Sequence, residues 1–234
     1  MHKVAIPQTI IDRVVARRGK EHVFEDFDPA RTALIVVDLQ NGFMLPGVAF
    51  AEIHEAREIV PNVNRLAAAV RAAGGLVVWI VTTYDKAIDH EWSIYYRLST
   101  PANGAKRSAA LTKGAKGHEI YADLQVMPED QIVEKRRFSA FIQGSGELDR
   151  VLKARGIDNL LITGTVTGVC CESTARDAMM LNYAVTMISD GNASYSDEEH
   201  NRALTAFYGT FGDVMSTDTL IGLLAKNGKK QAAE

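Results

Sequence analysis

Apolar runs alternate along this chain with stretches whose apolar residues recur three and four apart. Residues Ala33-Leu34-Ile35-Val36-Val37 are apolar at every position and stop at a carboxylate, Asp38, as a strand buried on both faces of a parallel sheet does. Between residues 51 and 73, Ile59, Val63, Leu66 and Val70 keep helical spacing, and Gly74-Gly75 ends the helix before a second strand over 76–82. Further strands are predicted over 131–134, 159–163, 184–189 and 213–216, separated by helices over 147–154, 169–181 and 197–208. Parallel strands need crossover connections, and the crossovers supply covering helices. The prediction is an α/β fold of three α/β/α layers, doubly wound on a mainly parallel six-stranded sheet. Residues 83–127 break the rhythm with Trp92, Tyr95, Tyr96 and a Gly/Ala/Lys-rich piece over 104–117, and a long irregular segment of this kind is expected to carry function.

The length, 234 residues, suits one domain: a charged arm over 1–30 that could pack on a neighbouring subunit, a core over 31–222, and a polar tail over 223–234 that should fray from Lys226. Twenty-six Lys plus Arg against 29 Asp plus Glu give a net charge of −3, too balanced for the positive field that nucleic acid or an anionic membrane requires. No stretch approaches the roughly 20 apolar residues of a membrane span, and the first residues lack the apolar core of a secretory signal, so a cytoplasmic protein acting on a small molecule is expected. The two cysteines, Cys170 and Cys171, are neighbours and cannot staple distant segments.

In an open parallel sheet, ligands bind beyond the C-terminal strand ends, and three such ends carry chemistry here. Asp38 follows the first strand, Lys135 the third, and Cys170 opens the helix after the fourth. A thiol must become a thiolate to attack a carbonyl carbon; Asp38 is the candidate base, with Lys135 and the positive helix end stabilising the thiolate. On this reading an enzyme should hold Cys170 at a depressed pKa, and a non-catalytic scaffold should bury an inert thiol. The turn-rich junction over 164–170 could aim backbone N–H groups at an oxyanion, the amide of Cys170 first among them.

At these residues the chain resembles the isochorismatase-like cysteine hydrolases. Three motifs carry the resemblance, in order: residues 33–41 (ALIVVDLQN), 135–141 (KRRFSAF), and 164–170 (GTVTGVC) followed by 172–178 (ESTARDA). The resemblance implies an Asp38–Lys135–Cys170 triad, selects Cys170 over Cys171, and makes the amides of Val166 and Cys170 the oxyanion donors, with a cis Thr165–Val166 peptide beside them. It also implies a homo-oligomer. Nicotinamidases of this superfamily bind a metal through an Asp-x-His motif and further histidines; His54 and His90 here fit no such pattern, so neither metal nor other cofactor is expected. Isochorismatases proper lack the cysteine, whereas residues 164–174 look closest to the ureidoacrylate and carbamoyl amidohydrolases. The expected reaction is therefore C–N hydrolysis of a small linear ureido, carbamoyl or amide substrate through a thioester, releasing ammonia or an amine. Two other readings stay open: a vinyl-ether hydrolase of the isochorismatase type, and a non-catalytic binding or assembly member of the fold.

Each residue also has a bland reading. Asp38 could merely cap a turn, Lys135 lies in a basic run whose Arg136 and Arg137 read as solvated, and Cys171 reads as a small buried hydrophobe. Asn41 is the expected polar contact to substrate, and Gln40 could hold Asp38. Phe43, Tyr84, Trp92, Phe138 and Phe141 are the candidate apolar walls, with about half of the aromatic group expected to line the pocket. Arg97 is a weaker candidate for a substrate carboxylate, since an exposed structural arginine is commoner.

Overall fold

In the computed structural model, which describes residues 1–231, the apolar runs form a six-stranded, all-parallel sheet in the order β3-β2-β1-β4-β5-β6. The strands are β1 (Thr32–Val37), β2 (Leu76–Thr82), β3 (Gln131–Lys135), β4 (Asn159–Thr165), β5 (Ala184–Ala193) and β6 (Asp213–Met215). Strand side chains alternate between faces, and the sequence uses both. Ala33, Ile35 and Val37 join one core cluster with Val78, Ile80, Leu160 and Ile162, while Leu34 and Val36 join another with Val77, Trp79 and Leu161. Helices Leu148–Ala154, Glu172–Met180 and Asp197–Thr210 cover the first face, and helices Val60–Ala72 and Thr217–Gln231 the second. This is the three-layer α/β/α arrangement. No helix among the described residues is long and apolar enough to cross a membrane.

The chain lays β2 and β3 to one side of β1 and then returns to lay β4, β5 and β6 on the other. Strand order therefore reverses between β1 and β4, and the diverging connections leave a crevice at their C-terminal ends. Gly164 lets the two strands meet there. Its φ is 122°, and a Cβ on it would lie 2.0 Å from the Val37 carbonyl oxygen, one residue before Asp38.

Several elements differ from the sequence expectation. The first helix is two pieces, Glu55–Glu58 and Val60–Ala72, broken at Ile59, where Pro61 lacks the N–H that a continuous helix would use. The irregular segment over 83–127 contains helices Ile88–Glu91, Ser93–Arg97 and Pro101–Leu111; Thr100 caps the last by accepting from the Asn103 N–H, and Pro101 suits its first turn. Strand β5 runs four residues beyond the predicted 189, because Asn192 Nδ2 donates to Ile162 O (2.9 Å) and Ile188 O (2.7 Å) across a register shift. The tail expected to fray from Lys226 is helical to Gln231, anchored by buried Leu220, Leu224 and Asn227, and its last three residues lie outside the described ones.

The N-terminal arm packs on its own chain. Helix Gln8–Arg18 buries Val14, and Arg18 pairs with the fully buried Asp213 at 2.8 Å, whose other oxygen accepts from the Val23 and Phe24 N–H groups.

Gly164→Ala should be among the most damaging single changes, since it adds a backbone clash to an unfavourable φ. A loss of about 3 kcal/mol or more is expected from the urea midpoint, against less than about 1 kcal/mol for Gly222→Ala, where nothing lies within 4 Å of the added carbon.

Candidate active site

Three strand ends and one turn build the site. The chain leaves β1 at Asp38, which takes a left-handed backbone (φ 55°) that aspartate tolerates better than most residues. Strand β2 ends at Thr82, directly paired in register with Lys135 at the end of β3. Thr82 thus lies between the two charged residues: its hydroxyl donates to Asp38 Oδ1 (2.8 Å) and accepts from Lys135 Nζ (2.7 Å). Nζ also donates to the Arg137 carbonyl (2.9 Å) and approaches Asp38 Oδ2 (2.9 Å) and Cys170 Sγ (3.6 Å).

Strand β4 delivers the thiol. The Thr165–Val166 peptide is cis, and a π-helical turn, Thr167–Cys171, follows. The α-helix expected from Val169 starts only at Glu172, because the Val166 carbonyl accepts from both Val169 N and Cys171 N in a widened turn. The nucleophile candidate sits just ahead of the α-helix, near its positive end. The Val166 N–H has no acceptor among the described residues.

Side-chain accessibility is 0% for Asp38, 1% for Lys135 and 5% for Cys170. Burial alone would lower the Lys135 pKa, yet Asp38 and Cys170 outweigh it and the net shift is upward, so the ammonium stays charged. Burial pushes the Cys170 thiol up to about 12: Lys135 pulls the value down, Asp38 pushes it up, and burial wins. The expected depressed pKa is therefore reversed, and the resting thiol is protonated at neutral pH. Lys135 spends its three protons on Thr82, Arg137 and Cys170, so Asp38 Oδ2 has no aligned donor and is left to accept the Cys170 proton. Cys171 is fully buried and raised well above the ordinary thiol range by burial, with Sγ against the Thr163 carbonyl.

Thr82 was not legible as a site residue, although a polar residue closing an apolar strand beside the Asp38 strand was a usable signal. Gln40 holds Thr82 rather than Asp38: Oε1 accepts from the Thr82 N–H (2.8 Å) and Nε2 donates to the Thr82 carbonyl (3.2 Å). The nucleophile turn has a brace too. His200 Nε2 donates to Ser189 O (3.0 Å), which leaves Nδ1 to accept from the Thr167 hydroxyl (2.8 Å), and His2 stacks on the His200 ring at 4.4 Å.

The candidate substrate contacts divide. Trp92 and Phe138 meet edge to face at 4.9 Å and form a half-exposed group with Tyr95. Asn41 donates to the Lys116 carbonyl (3.0 Å) and is occupied in fixing that loop. Phe43 packs on Phe50 in the core, and Phe141 on Tyr183 beneath the other face, because both follow strand ends whose chain turns inward. Tyr84 bonds Asp89 and lines a separate cavity of about 490 Å³ with Tyr96 and Ser108. Tyr95, packed on Trp92 and Phe138, and Tyr195, which lines a cavity with Val166 and Val169, were not among the sequence candidates; burial raises both hydroxyl pKa values.

A buried carboxylate, a cation and a thiol thus meet at the switch point of a doubly wound sheet. Residues 32–219 match the model of the isochorismatase domain, and the chain belongs to that family. Solved structures agree. A cysteine hydrolase from Pseudomonas syringae pv. phaseolicola is 29% identical over 86% of this chain and 96% of its own, with a TM-score of 0.78. An isochorismatase-like hydrolase from Alkaliphilus metalliredigens is 30% identical over 82% of this chain and 98% of its own, with a TM-score of 0.70. N-carbamoylsarcosine amidase from Thermoplasma acidophilum is 27% identical over 80% and 97%, with a TM-score of 0.64.

His200 couples this region to pH. Burial, with His2 adding to it, lowers its pKa to about 4 from the ordinary 6.5. Above pH 6.5 both folded and unfolded states are neutral; between 6.5 and 4 only the unfolded chain takes the proton, so stability falls with pH, by roughly 3 kcal/mol in total. Urea titrations across that window should fall less steeply for His200→Asn than for the parent, and parallel curves would contradict the assignment.

Proposed function

We propose that this protein is a cysteine amidohydrolase that cleaves a C–N bond of a small ureido, carbamoyl or amide compound through a thioester. The observation that carries the reading is Lys135 Nζ, held 2.9 Å from Asp38 Oδ2 and 3.6 Å from Cys170 Sγ at the strand C-termini. The similarity to an N-carbamoylsarcosine amidase supports the choice of bond.

The chemistry follows from the resting charges. Cys170 starts as a thiol, so its proton passes to Asp38 as Sγ attacks the carbonyl carbon. Lys135 stays charged and offsets the negative charge that moves between Asp38, sulfur and substrate. The amides of Val166 and Cys170 receive the oxyanion. Collapse breaks the C–N bond, and Asp38 returns the proton to the departing nitrogen. A water that gives its proton to Asp38 then cleaves the thioester, restoring the thiol and releasing the acid. The raised thiol pKa makes proton transfer from Cys170 to Asp38 uphill, so the transfer is coupled to attack on carbon and no thiolate has to persist.

Cys170→Ala should reduce turnover of any ureido or amide substrate by at least about 10⁴-fold with little change in thermal midpoint, as loss of a covalent nucleophile does. Mass spectrometry of rapidly quenched reactions should find an acyl adduct on Cys170 and none on Cys171. Turnover that survives Cys170→Ala would contradict the reading and favour vinyl-ether chemistry without a covalent step.

A further inference from the structure

The arginines of this chain that are not exposed follow a rule with one exception. Arg18, Arg57, Arg71, Arg136, Arg137 and Arg176 are half-buried, and each reaches an aspartate or glutamate. Arg107, in helix Pro101–Leu111, is more deeply buried than any of them, at 5% exposure, and no carboxylate lies within ion-pair distance among the described residues. Its one hydrogen bond is a long one, Nη1 to the Tyr96 hydroxyl at 3.3 Å. The guanidinium lies over the face of Tyr95, 4.6 Å from the ring centre. A ring face offsets part of the cost of burying a cation, and because none of the other guanidinium nitrogens is fully enclosed, a fork of five N–H groups that donates once keeps open donors for a ligand.

We propose that Arg107 binds a carboxylate on the substrate, so that the compound hydrolysed is an anion, a ureido or carbamoyl acid; this rests on the amidohydrolase reading above. Tyr95 links the two ends of the site. One face carries Arg107, while its ring packs on Trp92 (4.8 Å) and Phe138 (5.7 Å), and Phe138 follows Lys135 by three residues. A linear substrate can therefore place its ureido carbon at Cys170 and its acid group at the fork, which matches a carboxylate in two parallel bonds. Arg97, the weaker candidate for a carboxylate in the sequence, is exposed one helix earlier, where water serves its donors.

The test compares 3-ureidopropionate with its methyl ester in the parent, Arg107→Gln and Arg107→Lys. The parent should prefer the acid, and Arg107→Gln should shrink that preference in kcat/KM by about 30-fold, mainly through KM, with partial rescue by lysine. A second arm needs no turnover: the rate at which iodoacetate, relative to iodoacetamide, alkylates Cys170, read on the Cys170 peptide. That ratio should drop about 10-fold or more in Arg107→Gln, since the anionic reagent loses its anchor while Lys135 is unchanged. An acid preference and an alkylation ratio that do not move would overturn the proposal and leave Arg107 as a prop for Tyr95. If neither compound turns over, the alkylation ratio decides alone: a drop keeps the anion site while the amidohydrolase reading fails for ureido acids, and no drop overturns both.

Discussion

An ammonium at 1% exposure has given up almost all of its water, and the fold around Lys135 is organised by the need to replace it. Asp38 supplies the opposite charge, Thr82 and the Arg137 carbonyl supply acceptors, and the third proton points to Cys170. No one segment of chain could provide these groups. They come together because β1, β2 and β3 end side by side and β4 ends across the switch point. Removing Asp38 or Thr82 leaves a buried charge or donor unpaired, so these contacts both position Lys135 and penalise their own loss.

Rigidity is distributed accordingly. Asp38 follows β1, which is buried on both faces, Lys135 ends the edge strand β3, and Gln40 fixes Thr82 between them through both its backbone N–H and its carbonyl. The nucleophile turn is held from the far side by Thr167 and His200. On the proposed reading recognition falls outside the sheet: Tyr95 and Arg107 lie on helices between β2 and β3, and Trp92 at the junction of two of them. Substrate preference can then change with those helices while Asp38, Lys135 and Cys170 remain in place.

Much of this was legible in the sequence. The fully apolar run ending in Asp38 identified a parallel strand, since burial on both faces leaves no alternating pattern, whereas the edge strand that ends at Lys135 carries Gln131 and Glu134 and alternates exposed and buried positions. What escaped depended on contacts between distant residues. Nothing in a run such as Val81-Thr82-Thr83 says which threonine bridges two charges; that follows from its register with Lys135. Phe43 and Phe141 read as pocket walls because they follow strand ends, yet local turns direct them into the core. The raised Cys170 pKa was also out of reach, because neighbouring charges can be guessed from motifs whereas the depth of burial cannot. The Pro101–Leu111 helix was hidden by its glycine and polar residues, although Thr100-Pro101 is a recognisable start signal.

If the thiol rests protonated, with Asp38 ready to take its proton and Lys135 a permanent cation, the ionisation of Cys170 in the substrate-free protein must show it. Its alkylation rate by iodoacetamide, followed against pH on the Cys170 peptide, should keep rising well above pH 9 in the parent, because burial and Asp38 hold the thiol up. In Asp38→Asn the profile should move to lower pH, since Lys135 then acts unopposed. A parent thiolate already formed at neutral pH, or a profile indifferent to Asp38→Asn, would contradict the account.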